Sequence, residues 1–375
     1  MNAVPSPMAV VRGKGHASCT SLSSASSMRV CRAGMREARV AVRSDGWEES
    51  TVARFVGRKV DSWAHLSELF PGTPATGRGA AGTEPLCVRE ADDVVLFWSP
   101  AGALDRDALR LGRMVGGGGG GGVGKGGEEE VARRWRAAWS RFPALARRLG
   151  LSDYARKLPV HVAGQGARKE RLKASEASRL VPEPEPLRGA LSVAFGATRS
   201  GEDNLNLSTM LADEEGREFC ETVLRPTLLA QGEALERVAP ERAEAMRDAV
   251  ARGPGGVLGV PHFETVAISV NAALRFHRDV HDLGRGLSCM LCVHSEGAAV
   301  QGGDLVVPGL QCAEQGEAAV VLPMPHGAVT MFQAHRLWHA TMPVGMPADH
   351  PDPARIQIIS FCKEPKDHTS SAPSR

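Results

Sequence analysis

From residue 263 onward, short apolar runs alternate with Gly, Pro and Asp. The runs are "FETVAISVN" (263–271), "LSCMLCVH" (287–294), "GGDLVVP" (302–308), "AAVVLP" (318–323), "GAVTMFQ" (327–333) and "RIQIISFCKE" (355–364). Runs of this length between turn residues predict strands. Unbroken apolar stretches such as "SCMLCV" predict strands covered on both faces. "GALSVAFGAT" (189–198) predicts one more. "EEGREFCETVL" (214–224) differs, because it spaces Phe219, Val223 and Leu224 for one helical face. Pro226 breaks or kinks that helix, and "ERAEAMRDAVA" (241–251) predicts a second. Six or seven short strands separated by turns suggest a double-sheet jelly roll or barrel.

The first half is less patterned. Residues 128–158 read as a helix broken near Pro143. "GGGGGGG" (116–122) opens a low-complexity insert running to 127; it is no phosphate loop, because Gly126 follows Lys125 where Ser or Thr is required. "DDVVLFWSP" (92–100) is apolar, but the fold of 46–115 is not legible. "VPEPEPLRG" (181–189) reads as a linker. These marks divide the chain into a basic disordered or targeting leader (1–45), an accessory region (46–180), a main domain (187–366) and a tail (367–375).

Net charge is only +2 and names no partner, but its distribution does. Residues 131–173 hold twelve Arg or Lys against two acids, with Trp135 and Trp139 among them. Such a segment suits a phosphate backbone or a solvated helix face. Arg133, Arg134, Arg136, Arg168 and Lys169 are its contact candidates. The first 36 residues contain no acid and five Arg or Lys, a composition shared by organelle transit peptides and basic tails. The eight cysteines form no dense framework, so free thiols in a reducing compartment are expected. No apolar run approaches membrane-spanning length, and no membrane partner is expected.

"FHRDVHDLG" (276–284) concentrates polar chemistry after a predicted strand. On a continuing strand, His277 and Asp279 face the same side. One imidazole and one carboxylate make two-thirds of the 2-His-1-carboxylate triad that holds non-haem Fe(II). "QAHRLWHATMP" (333–343) supplies His339 as the third ligand, with His335 as its rival. A helical His335–His339 pair would suit zinc, but the surrounding strand signal and Pro343 favour His339. Arg355, opening an apolar strand, is placed to clamp a dicarboxylate. His281 shares the face of His277 and Asp279 if the strand continues, as a substrate contact or rim residue. Asn271, at a strand end, suits cosubstrate or backbone hydrogen bonding. Cys289 and Cys292 read as small core residues on opposite strand faces.

The order H-x-D, H, R resembles the Fe(II)/2-oxoglutarate dioxygenase superfamily. The run His277-Arg278-Asp279-Val280-His281, with "GGDLVVP", "FQAHRLWHATMPV" and "RIQIISFCKE", is similar more narrowly to the TET/JBP group, which oxidises methyl groups on nucleic-acid bases. The resemblance covers roughly 187–366. It implies an α+β fold, a double-stranded β-helix (jelly-roll) core with supporting helices on one face. It implies iron at His277, Asp279 and His339, cosubstrate at Arg355, and support from Arg278. Animal TET-type members carry Asn where this chain has Asp282. That departure leaves ascorbate open as cosubstrate beside 2-oxoglutarate, because a carboxylate there repels an anion unless it accepts bonds from hydroxyls. The expected function is oxidation of 5-methylcytosine in DNA using molecular oxygen, in the nucleus. The alternatives are a protein side-chain (prolyl-type) hydroxylase, which an organelle leader would suit, and a non-catalytic DNA- or peptide-binding module.

Overall fold

The computed structural model describes residues 28–31, 35–39, 66, 68–70, 85–90, 93–100, 125–151, 191–196, 205–253, 256–295, 300–309, 319–345 and 354–364. The strands are β1 (Met28–Cys31), β2 (Met35–Arg39), β3 (Leu86–Glu90), β4 (Asp93–Ser99), β5 (Leu191–Gly196), β6 (Thr265–Val270), β7 (Ser288–His294), β8 (Gln301–Gly302), β9 (Leu305–Pro308), β10 (Ala319–Leu322), β11 (Val329–Phe332), β12 (Ala340–Thr341), β13 (Val344–Gly345) and β14 (Arg355–Phe361). The helices are α1 (Lys125–Arg148), α2 (Leu205–Ala212), α3 (Glu214–Phe219), α4 (Arg225–Val238) and α5 (Pro240–Arg252). All seven runs read as strands in the second half form strands.

The major sheet has the order β1-β2-β3-β4-β11-β7-β14-β6-β5. It is antiparallel except where β2 meets β3. Opposite it lie a three-stranded sheet, β10-β9-β12, and the β13-β8 pair. This is the jelly roll, with the helices on one face of the major sheet.

Side-chain alternation sorts the core into layers. On β7, Cys289, Leu291 and Val293 pack toward the helices with Leu228, Leu235 and Met246. Met290 and Cys292 point the other way, between the sheets, with Leu305, Val307 and Leu322. Both β7 faces are therefore buried, which explains its unbroken apolar run. Cys289 and Cys292 fall on opposite faces as buried free thiols. The minor sheet repeats the alternation: Val306 and Val321 turn outward to a third cluster with Leu66, Phe70, Phe276 and Trp338.

Pro226 is absorbed without a break. A π-helical turn, Cys220–Leu224, joins α3 to α4, and Arg225 N–H reaches back to the Cys220 carbonyl. The widened turn places the proline in the first turn of α4, where its missing N–H costs little. Gln231 ties α4 to the sheet. Its Nε2 donates to the carbonyls of Cys289 and Ile358 (both 3.2 Å), and its Oε1 accepts from Ser360 Oγ (2.7 Å).

Two expectations for the first half are corrected. The helix does not break near Pro143; α1 runs through it and ends at Arg148. Apolar anchoring on both sides of the proline, at Trp139, Phe142, Leu145 and Ala146, offsets the lost backbone bond. Trp135 and Trp139 also do not face solvent among the charges. Both indoles donate to Thr227 Oγ1 on α4 (3.0 and 3.3 Å). The apolar run at 92–100 becomes β4, which pairs with β11 in the major sheet. Within the leader segment, β1 and β2 extend that sheet beyond β3. The linker at 181–189, the insert at 116–122, Arg168 and Lys169 lie outside the described residues.

Candidate metal centre

The segment carrying His277 and Asp279 is not a continuing strand. After β6 the chain turns at Asn271 and runs irregularly, touching His339 through one isolated bridge. Each histidine donates its backbone N–H to the other's carbonyl (3.0 Å both ways), and Asp279 N–H donates to the Ala334 carbonyl (2.9 Å). These three bonds clasp the two distant segments together. They aim the side chains in place of the strand alternation expected from the sequence.

Ligand atoms of His277, Asp279 and His339 all lie within 4.8 Å of one another, the spread a single ion can bridge. The Asp279 carboxylate sits 3.8 Å from His277 Nε2 and 3.6 Å from His339 Nε2. Each Nδ1 faces a backbone carbonyl, Arg275 O at 2.7 Å and Leu337 O at 3.0 Å. A neutral imidazole bonded this way carries its proton on Nδ1 and leaves the Nε2 lone pair available. Burial and the neighbouring His277 push His339 down to about 4, against the pull of Asp279, so its ring is neutral at pH 7. Phe332 packs edge-on to it, with ring centres 4.9 Å apart. His335 sits in the turn before His339 and outside this group, so the helical zinc pair does not form.

Arg355 is fully buried at the start of β14. One guanidinium nitrogen donates to the Gly303 carbonyl, while Nε and Nη1 have no hydrogen-bond partner among the described residues. Two buried donors on a cation match a carboxylate. Gly303 makes room for them: its φ is +72°, and a Cβ there would stand 2.5 Å from Arg355 Nε. Sequence reasoning missed this cradle, and the Gly302–Gly303 doublet was its signal. Asn271 performs the backbone role. It adopts φ +50°, accepts from Arg355 N–H at its Oδ1 (2.7 Å) and returns a bond to the Arg355 carbonyl (2.9 Å).

The other expected site residues are not part of the ligand set. His281 is exposed on a turn, so the same-face argument does not hold for it. Arg278 lies over the Trp338 ring at 4.8 Å, a cation–π contact. Asp282 bridges to Lys363, just past the far end of β14 from Arg355, roughly 25 Å along the chain from it. It accepts from Ser288 Oγ (2.7 Å), and burial with repulsion from Asp279 pushes its carboxyl well above the usual range. Arg133 and Arg134 are exposed on α1 and paired with Glu130. Arg136 is half-buried, its Nε 3.1 Å from His326 Nε2, so it does not belong to an open phosphate surface.

Residues 196–371 match the family model of the CMD1/TET dioxygenase C-terminal domain. This part of the chain is a CMD1/TET-type dioxygenase domain. The CMD1/TET-type domain accounts for Fe(II) and 2-oxoglutarate as cofactors, and the donor set above fits both: imidazole and carboxylate for the ion, a buried arginine for the acid. Its strand β11 pairs directly with β4, which precedes the matched residues and carries β3 on its other edge. Among solved structures, a Pseudomonas putida prolyl-4-hydroxylase is similar at 12% identity over 62% of this chain and 88% of that one, with a TM-score of 0.28. A 2OG-Fe(II) oxygenase family oxidoreductase from Burkholderia pseudomallei is similar at 15% identity over 60% and 90%, with a TM-score of 0.24. No curated protein matches the chain by sequence. No helix among the described residues is long and apolar enough to cross a membrane.

Acid sensitivity follows from two histidines beyond the triad. Burial pushes His294 and His326 down to about 4, with Arg355 adding to the first and Arg136 to the second. Above the ordinary value of 6.5 neither the folded nor the unfolded chain protonates them. Below it the unfolded chain binds protons that the fold refuses, so stability falls from pH 6.5 toward 4. The urea midpoint of the metal-free protein should drop across that window. His326→Gln should flatten the slope; an unchanged slope in the variant would remove His326 from the account.

Proposed function

We propose that this dioxygenase oxidises the methyl group of a nucleic-acid base, 5-methylcytosine in DNA foremost, with His277, Asp279 and His339 holding Fe(II) and Arg355 holding the cosubstrate. The single observation that carries the site assignment is the convergence of the three ligand atoms within 4.8 Å, with both Nδ1 atoms already engaged. The substrate assignment rests on the CMD1/TET family match and the H-R-D-x-H run. When bound, Fe(II) supplies oxygen activation coupled to oxidative decarboxylation of 2-oxoglutarate. The chain's own residues do the rest. His277 and His339 each offer an Nε2 nitrogen, and Asp279 offers a carboxylate oxygen. Arg355 binds and orients the distal carboxylate of the cosubstrate with its buried guanidinium. Arg278 stands between the two ligands on its own segment and lies over the Trp338 ring. A base in duplex DNA must leave the stack to reach such a site. Arg133 and Arg134 on α1, with Arg168 and Lys169, are the candidate phosphate contacts.

The test is nucleoside mass spectrometry after incubating the protein with 5-methylcytosine DNA, Fe(II) and either 2-oxoglutarate or ascorbate. Loss of 5-methylcytosine with 2-oxoglutarate, absent in His277→Ala, is the expected result. Loss with ascorbate alone would assign the cosubstrate to a hydroxyl-rich acid. Unchanged 5-methylcytosine under both conditions, despite bound iron, would overturn the base-oxidation reading.

A further inference from the structure

Asp93 lies on β4, outside the residues that match the family model, and half of its side chain is exposed. It nevertheless holds two partners at once. Its carboxylate receives Arg242 of α5 through both Nε (2.8 Å) and Nη2. It also accepts from Gln333 Nε2 (3.1 Å). Each partner leads to a different ligand-bearing segment.

Gln333 opens the turn that delivers His339. Its Nε2 also donates to the Val94 carbonyl and its backbone N–H to the Val95 carbonyl, both at 3.1 Å. Its own carbonyl accepts from the N–H groups of Arg336 and Leu337, closing the turn. The next residue, Ala334, offers the carbonyl that fixes Asp279 N–H. Arg336 adds an ion pair to Glu90 on β3. Arg242 serves the other segment. Its Nη1 donates to the carbonyls of Gly284 and Gly286 (3.4 and 3.1 Å), in the loop that follows the H-R-D-x-H run. That loop returns to the ligand through Asp282 N–H, which donates to the Asp279 carbonyl (2.8 Å).

We propose that Asp93 is a positioning residue for the metal centre, setting the separation of His339 from the His277–Asp279 segment through Gln333 and Arg242. One carboxylate fixes both halves of the clasp, so its loss frees two lever arms that meet at the ion. Partners that orient ligands in this way typically contribute 10–100-fold to metal affinity. Asp93 acts through more than one further residue on each arm, so no more than the lower end, about tenfold, is expected here. The proposal rests on the reading of His277, Asp279 and His339 as the metal ligands.

The experiment uses the full metal-free chain titrated with Co(II), whose absorption bands report coordination geometry. The proteins are wild type, Asp93→Ala, Arg242→Ala, the double variant, Asp213→Ala and His277→Ala. Asp213 caps α3 and pairs with Arg148, so Asp213→Ala lowers stability by a contact unrelated to the ligands. The expected result is Co(II) binding about tenfold weaker in Asp93→Ala with altered bands, as in Arg242→Ala. The double variant should be no worse than the sum of the two, and Asp213→Ala unchanged. Asp93→Ala with wild-type affinity and bands would overturn the proposal. So would weakening in Asp213→Ala that tracks its lost thermal stability in the same way. If His277→Ala still binds Co(II) as wild type does, the ligand assignment itself fails, and the positioning role falls with it.

Discussion

His277→Ala is expected to lose at least about a thousandfold in both Fe(II) affinity and turnover, while the metal-free protein keeps its fold. Orienting partners alone contribute 10–100-fold, and removing one of three ligand atoms exceeds that. The fold should survive because the clasp to His339 is made by the backbone of His277, not by its ring. The ring is only half-buried, and its Nδ1 contact is to a local carbonyl two residues away. Calorimetric metal titration beside thermal unfolding of the same sample separates the two effects. A variant that binds Fe(II) normally would remove His277 from the ligand set.

Arg355→Met should weaken 2-oxoglutarate binding by about a hundredfold, while the protein without cosubstrate becomes no less stable. A charge-assisted bidentate contact contributes a few kcal/mol, and methionine of similar length cannot make it. The stability term has the opposite sign from the usual core substitution. Arg355 is a buried cation with two unpartnered donors, and replacing such a charge by an apolar group is often neutral or stabilising. Burial pushes the carboxyl of its neighbour Asp304 above the usual range, while the Met324 N–H and Arg355 pull it the other way. Direct cosubstrate titration and the melting temperature test the two halves of this expectation. A lower melting temperature with unchanged 2-oxoglutarate affinity would make Arg355 a structural residue.

Much of this architecture was legible because its determinants are local. Strands β6, β7, β9, β10, β11 and β14 announce themselves as apolar runs between turn residues, unlike the two-residue β8, β12 and β13, and the H-x-D spacing with a distant histidine marks the candidate site. The helix through Pro143 was misread because the proline penalty is local, whereas the anchoring by Trp139, Phe142 and Leu145 comes from other elements. His277 and Asp279 converge as expected but not by strand alternation, and the direction of His281 was misread for the same reason. A period-two rule applies only while a strand lasts, and β6 ends at Val270. The partners of Asp93 lie 149 and 240 residues away, and no spacing rule reaches that far.

The pairing of β4 with β11 also bears on how the enzyme can be divided. All four residues of β11 are buried, with β7 on one side and β4 on the other. A fragment confined to residues 196–371 would strip β4 away and leave Val329–Phe332 as an open edge rich in apolar side chains. Open edges of that kind recruit strands from other molecules and seed aggregation. A fragment that keeps this edge covered therefore begins no later than β4, well before the family match starts.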